Sequence, residues 1–222
     1  GDLNVSQSAL LIPVRTGSSR GFRKKDKRIP PNLQMNTRFL LGFTFIALFV
    51  AVAVRILPHI PNFTPLGAFA LFVGVFVARK YWWGLLLPLF AMFLSDLFIG
   101  FYDFKLMAVV YGSFLVYTGL GMLVVPLRGI SRRETKQTGV PAVLLCSIGG
   151  SLFFYLTTNF AVWLFSNWYP HTVSGLLLSY TLALPFFKYT LLGDLFFTSV
   201  LFGVYAFATH LLHQRQLKLS RT

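Results

Sequence analysis

Between residues 38 and 212 the chain is a succession of apolar runs about twenty residues long, separated by short polar or basic segments. No feature constrains the fold more. A run of that length is what a helix needs to cross the hydrocarbon core of a bilayer, roughly 30 Å thick. Charge content agrees: 12% of residues are charged and 55% apolar, where a soluble domain carries about 25% charged residues. The fold class expected is an all-α membrane protein. The net charge of +14 would otherwise point to nucleic acid, but that requires cations spread over a soluble surface, so no nucleic-acid partner is expected. An aromatic content of 17% excludes a disordered chain, and a single cysteine, Cys146, excludes a disulfide scaffold. Cys146 sits within Val-Leu-Leu-Cys-Ser-Ile and reads as a small packing residue.

Six spans are expected: about 38–57, ending at Pro58; 64–77, short unless Arg79 and Lys80 snorkel; 82–101; 106–127; and 140–165. The last apolar region, 175–212, is too long for one crossing. Pro185 is expected to divide it into a short interfacial or re-entrant helix, 175–184, and a sixth span from about Phe187. Residues 1–34 differ from the rest. They hold the run Arg23-Lys24-Lys25-Asp26-Lys27-Arg28 and end in Pro30-Pro31. They contain no apolar region of signal-peptide length. This segment reads as a basic cytoplasmic extension set before Met35, the membrane domain as 35–214, and 215–222 as a basic C-terminal tail.

Orientation follows from Lys and Arg. With the N-terminus inside, seventeen basic residues fall on the inner side and three, Arg55, Lys105 and Lys188, on the outer; without the tail the ratio is ten to three. The expectation is a multi-pass membrane protein with both termini in the cytoplasm, its basic loops facing anionic headgroups; that the membrane is a bacterial cytoplasmic (inner) one is what the family resemblance described below implies. Tyr81, Trp82 and Trp83 mark one interface, Trp168 and Tyr169 the other.

Polar residues inside the spans gather at one depth. Arg55 lies near the outer end of the first span, with His59, Asn62 and Thr64 in the loop after it. Asp96 is placed in the outer half of the third span, Thr157, Thr158 and Asn159 in that of the fifth, and Lys188, Thr190 and Asp194 in that of the sixth. A charge at the centre of a spanning helix costs about 2.5–3.5 kcal/mol on insertion scales, so each needs a reason. Converging on four spans, they predict a ligand cavity open to the outer face, lined by Arg55, His59, Asn62, Thr64, Asp96, Thr158, Asn159, Trp163, Lys188 and Asp194, with walls from Phe63, Tyr155, Phe160, Phe186 and Tyr189. Arg55 and Lys188 suit a carboxylate or phosphate, Asp96 and Asp194 an amine. The alternative is structural: the two aspartates neutralise Arg55 and Lys188. Small residues also repeat at helical spacing, Ala47 and Ala51 in the first span and Ala70, Gly74 and Ala78 in the second. Such stripes pack helices within one chain or dock a second membrane subunit.

The sequence carries no recognisable catalytic motif. Asp103 and Gly193-Asp194 are similar to an intramembrane aspartyl-protease pair, but Leu191 stands where those enzymes have glycine. His210 and His213 lack acidic or thiol companions for a metal, and no phosphate-binding glycine loop or nucleophile elbow occurs. No enzymatic activity and no ATPase are therefore expected.

Four segments together resemble a known family: Arg55-Ile-Leu-Pro-His-Ile-Pro-Asn-Phe-Thr-Pro-Leu-Gly-Ala-Phe-Ala-Leu-Phe72, Ala91-Met-Phe-Leu-Ser-Asp-Leu-Phe-Ile-Gly100, Thr158-Asn-Phe-Ala-Val-Trp163 and Pro185-Phe-Phe-Lys-Tyr-Thr-Leu-Leu-Gly-Asp-Leu195. They are similar to an uncharacterised bacterial membrane family grouped with the substrate-binding (S) components of energy-coupling factor transporters. The resemblance covers about 36–212. It implies a compact six-helix bundle that captures a vitamin, cofactor precursor or metal ion from outside. Import would then require a transmembrane coupling subunit and two ATPases, and Ala47-x-x-x-Ala51 is similar to the motif by which S components dock. A basic extension of 34 residues departs from that pattern. It keeps open a second reading, an accessory subunit of a larger membrane complex whose neighbours bind the small-residue faces and Arg23, Lys24, Lys25, Lys27 and Arg28.

Overall fold

A computed structural model describes residues 37–130 and 139–219, without the side chains of 125–130. The basic run 23–28, the loop cations Arg132, Arg133 and Lys136, and Arg221 lie outside the described residues, as does the side chain of Arg128. Every regular element described is helical: α1 (Thr37–Ile56), α2 (Leu66–Val73, continued by a π-helical turn Gly74–Ala78), α3 (Leu86–Ile99, preceded by a 3₁₀ turn Trp82–Leu85), α4 (Phe104–Ile130), α5 (Gly139–Phe165) and α6 (Val173–Leu219). Five of these segments are long and apolar enough to cross a membrane; the sixth, Leu66–Ala78, is shorter.

Helix α2 is short because of where it lies. All eight residues of Leu66–Val73 are buried, as expected of a helix that is apolar on every side. Its direction follows from two contacts. Arg55, at the end of α1, bonds to Asp96 near the end of α3, so those helices run parallel. Lys80, just past α2, donates to Thr37 Oγ1 at the start of α1 (3.1 Å). The chain therefore returns through the bundle along α2, from an Arg55 end to a Lys80 end. Irregular backbone at membrane depth is tolerated where protein surrounds it or where it lines a cavity, and the α1–α2 connection does the latter.

Glycine sets the closest approach of α2 to α4. A Cβ on Gly74 would strike the Thr118 carbonyl oxygen, and one on Gly121 the Leu71 carbonyl oxygen. The small-residue stripes are consumed in the same way. Ala47, Ala51, Ala70, Gly74 and Ala78 are all buried within the bundle, so here they pack helices within the chain, the first of the two readings of those stripes. The core around them is aromatic, with Tyr205 of α6 against Phe39, Phe43, Phe72 and Phe76.

Pro185 does not divide the last apolar region. Helix α6 is continuous over 47 residues with Pro185 inside it, a length of about 70 Å at 1.5 Å per residue; no separate interfacial or re-entrant helix exists. Proline removes one backbone hydrogen bond, a loss that neighbouring helices can offset in a spanning segment. Here α5 supplies the contacts. Tyr155 OH donates to the Tyr180 carbonyl (2.7 Å), Tyr180 OH to the Leu156 carbonyl (3.0 Å) and Ser179 Oγ to the Asn159 carbonyl (3.1 Å). The first turns of α6 are thus held along α5 rather than released at an interface.

Candidate functional site

The site begins with Arg55, the last charged residue of α1. Its Nη1 donates to Asp96 Oδ1 (2.5 Å) and to Ser95 Oγ of α3. Asp96 is 0% exposed, and its second oxygen accepts from Tyr111 OH of α4 at 2.8 Å. Burying a pair of charges requires that each remaining lone pair find a donor, and Ser95 and Tyr111 provide that environment. All three bonds from Arg55, the third to the Met92 carbonyl at 3.4 Å, leave through Nη1. Among the described residues its Nη2 and Nε take no partner.

A second carboxylate, Asp194 of α6, is 3% exposed but differently held. Its Oδ2 accepts from Tyr117 OH of α4 and from Ser151 Oγ of α5 (2.7 Å). Its Oδ1 lies against Gly67 of α2, where any Cβ would overlap it, and Gly150 of α5 gives the Tyr117 ring its room in the same manner. Four helices therefore meet at one carboxylate: α6 carries it, α4 and α5 donate hydroxyls to it, and α2 makes room for it through an absent side chain. Arg55–Asp96 is the one ion pair among the described residues, so Asp194 pairs with no described cation.

Between these groups lies a cavity of about 440 Å³. Arg55, His59, Asn62, Thr64, Gly67 and Asp194 give its polar lining, and Leu66, Met92, Ile99, Phe114 and Phe154 its apolar walls. Asp194 and Arg55 both belong to the lining of this cavity, and no fully buried polar side-chain atom among the described residues lacks a partner. A smaller cavity of about 210 Å³ adjoins it through Asn62, Phe154 and Thr190, and is lined further by Thr158, Asn159, Tyr155 and Phe186. Asn62 stands between the two with φ 64°, a left-handed conformation that asparagine tolerates better than most residues. Tyr102, in the α3–α4 connection, has its phenol pushed up to about 12 by burial and by the nearby Asp96 charge.

The sequence-predicted residues thus separate. Arg55, His59, Asn62, Thr64 and Asp194 line the first cavity, and Thr158 and Asn159 the second. Asp96 stands behind Arg55 and does not form the wall. Lys188 is exposed, beside the Tyr189 ring at 6.0 Å, away from both cavities and from Asp194. Trp163 is spent on the Pro170 carbonyl (Nε1 to O, 3.0 Å). Among the expected walls, Phe63 packs on Phe196 and Phe197, and Phe160 on Trp163. The depth of Asp194 also changes. Its partners Tyr117 and Ser151 lie midway along α4 and α5, so the carboxylate is in the middle of the bundle rather than its outer part. Sequence reasoning did not find Tyr111, Tyr117, Ser151 or Gly67. A tyrosine, serine or glycine in an apolar span is too common to signal a site, and Ser95 had only its adjacency to Asp96. Asp103, the other half of the protease-like pair, instead caps α4, its Oδ1 accepting from the N–H groups of Lys105 and Leu106 at 3.0 Å each. Among the described residues no three His, Cys, Asp or Glu side chains gather as a metal site.

Fold and site together define a multi-pass helical membrane protein with a charged cavity reaching from one end of its bundle to the middle. The chain belongs to a family of unknown function, DUF6580, whose model matches residues 33–217. No curated protein and no solved structure matches it.

Proposed function

We propose that this protein binds a small molecule from the outer face of a bacterial cytoplasmic membrane and serves uptake, as the S components of energy-coupling factor transporters do. The observation that carries the reading is Asp194. Structural pairing accounts for Asp96, which holds Arg55, but not for a buried carboxylate that lines a cavity and pairs with no cation among the described residues. Intramembrane ionisable groups of that kind are functional by default.

Six crossings fit this reading, with α2 completing the second inside the bundle. Among the described cations, Arg38, Arg79 and Lys80 lie toward the Lys80 end. Arg215 and Lys218 follow Tyr205, which packs near the start of α1. Lys105 and Lys188 belong to the Arg55 end, where Lys105 lies over the Phe165 ring at the close of α5 (5.4 Å). By the positive-inside rule the cavity then opens outward and both termini are cytoplasmic. The chain carries no phosphate-binding loop, so import rests on a coupling subunit and ATPases supplied by partners.

The test is purification from native membranes in mild detergent, with mass spectrometry of proteins and small molecules that travel with the chain. The expected result is a retained small molecule, with or without a coupling subunit and ATPases. Stoichiometric unrelated membrane subunits, with no retained molecule from wild type or from Asp194→Asn, would overturn uptake in favour of an accessory-subunit role.

A further inference from the structure

If the cavity is a binding site, as proposed above, its two charged walls limit what it binds. Asp194 is more than nine-tenths buried and lines the cavity; Tyr117 and Ser151 occupy one of its oxygens, and the other, beside Gly67, takes no donor among the described residues. An oxygen that accepts from no donor and pairs with no cation among the described residues is matched by an ammonium or a polarised N–H of a ligand. Arg55 presents the opposite chemistry. Nη1 is committed to Asp96 and Ser95, whereas Nη2 and Nε form a planar two-donor edge that fits a carboxylate. Asp96 is consumed in holding that edge still. The space between is walled by Phe114, Phe154, Leu66 and Ile99, which suits an apolar or aromatic body.

We infer that the ligand is a small zwitterion: a carboxylate to Arg55, an ammonium or N–H donor to Asp194, and an apolar body between or beside them. Neither charge alone satisfies the cavity. A plain acid leaves the Asp194 oxygen desolvated without a donor, and a plain amine leaves the Arg55 edge without an acceptor; leaving a buried charged group unmatched weakens binding by about tenfold or more.

The experiment uses the full chain in lipid nanodiscs and three probes of one skeleton: phenylalanine, 3-phenylpropionate and phenethylamine. Each is titrated to about 10 mM and followed by thermal stabilisation, which registers dissociation constants in the millimolar range. Small molecules released from the purified protein are identified in parallel. The expected result is that phenylalanine binds about tenfold or more tightly than either single-charge probe. In Asp194→Asn that preference over 3-phenylpropionate is expected to collapse. In Arg55→Lys, which keeps the partner charge for Asp96, the preference over phenethylamine is expected to fall. Equal stabilisation by all three, none by any, or an unchanged preference in Asp194→Asn overturns the inference. A released molecule bearing only one type of charge overturns it too, while leaving small-molecule binding intact; no released molecule and no probe effect removes both readings.

Discussion

Asp96 and Asp194 are both buried carboxylates, yet their surroundings assign them different work. Asp96 meets a guanidinium, so removing it strands a cation in the interior. Asp96→Ala should destabilise the protein by about 3–5 kcal/mol, because a buried charge without its partner is much worse than no pair at all. Asp194→Asn should cost no more than about 1 kcal/mol: the amide oxygen can still accept from Tyr117 and Ser151, and the amide nitrogen faces the cavity. Unfolding titrations in mixed detergent compare the two directly. Equal losses would mean that Asp194 is as structural as Asp96. Gly67 belongs to this scale as well, since its missing Cβ is what lets the Asp194 oxygen sit against α2.

At the scale of elements, α6 shows why a proline in a sequence marks an expected boundary and not a certain one. The apolar pattern and Pro185 together read as two helices. The partner groups that make one helix viable, Tyr155 and the carbonyls of Leu156 and Asn159, belong to α5 and are invisible from α6. Pro185→Ala should leave helix content by circular dichroism unchanged. It should also hold stability or raise it by up to about 1 kcal/mol, by restoring one backbone N–H to the ladder. A loss beyond about 1 kcal/mol would show that the packing of 173–184 on α5 depends on the proline. The other element-level surprise is α2, which is legible as apolar but not as central. Its position is decided by Gly74 and Gly121 meeting the backbone of a neighbouring helix.

For the whole molecule, the decisive property is orientation. His59 in the α1–α2 connection and Arg79 after α2 are both exposed, at opposite ends of the bundle. With Cys146 replaced by serine, His59→Cys in intact cells should react with a membrane-impermeant maleimide. Arg79→Cys should react only after permeabilisation. The reverse pattern would turn the cavity inward, and reaction of both from outside would mean that α2 does not cross.

The sequence by itself determined where the helices are. Membrane crossing depends on the summed transfer free energy of consecutive residues, a local quantity, so α1 and α3–α5 stand within a few residues of their expected limits. It also singled out Arg55 and Asp194, which line one cavity, because a charge in hydrocarbon is conspicuous one residue at a time. Tertiary structure alone decided how those charges divide. Whether Asp96 holds Arg55 or faces a ligand, whether Lys188 meets Asp194, and whether α6 breaks at Pro185 all depend on side chains many residues away. Hydrogen bonds and ion pairs act over a few ångströms in space, whatever the separation along the chain.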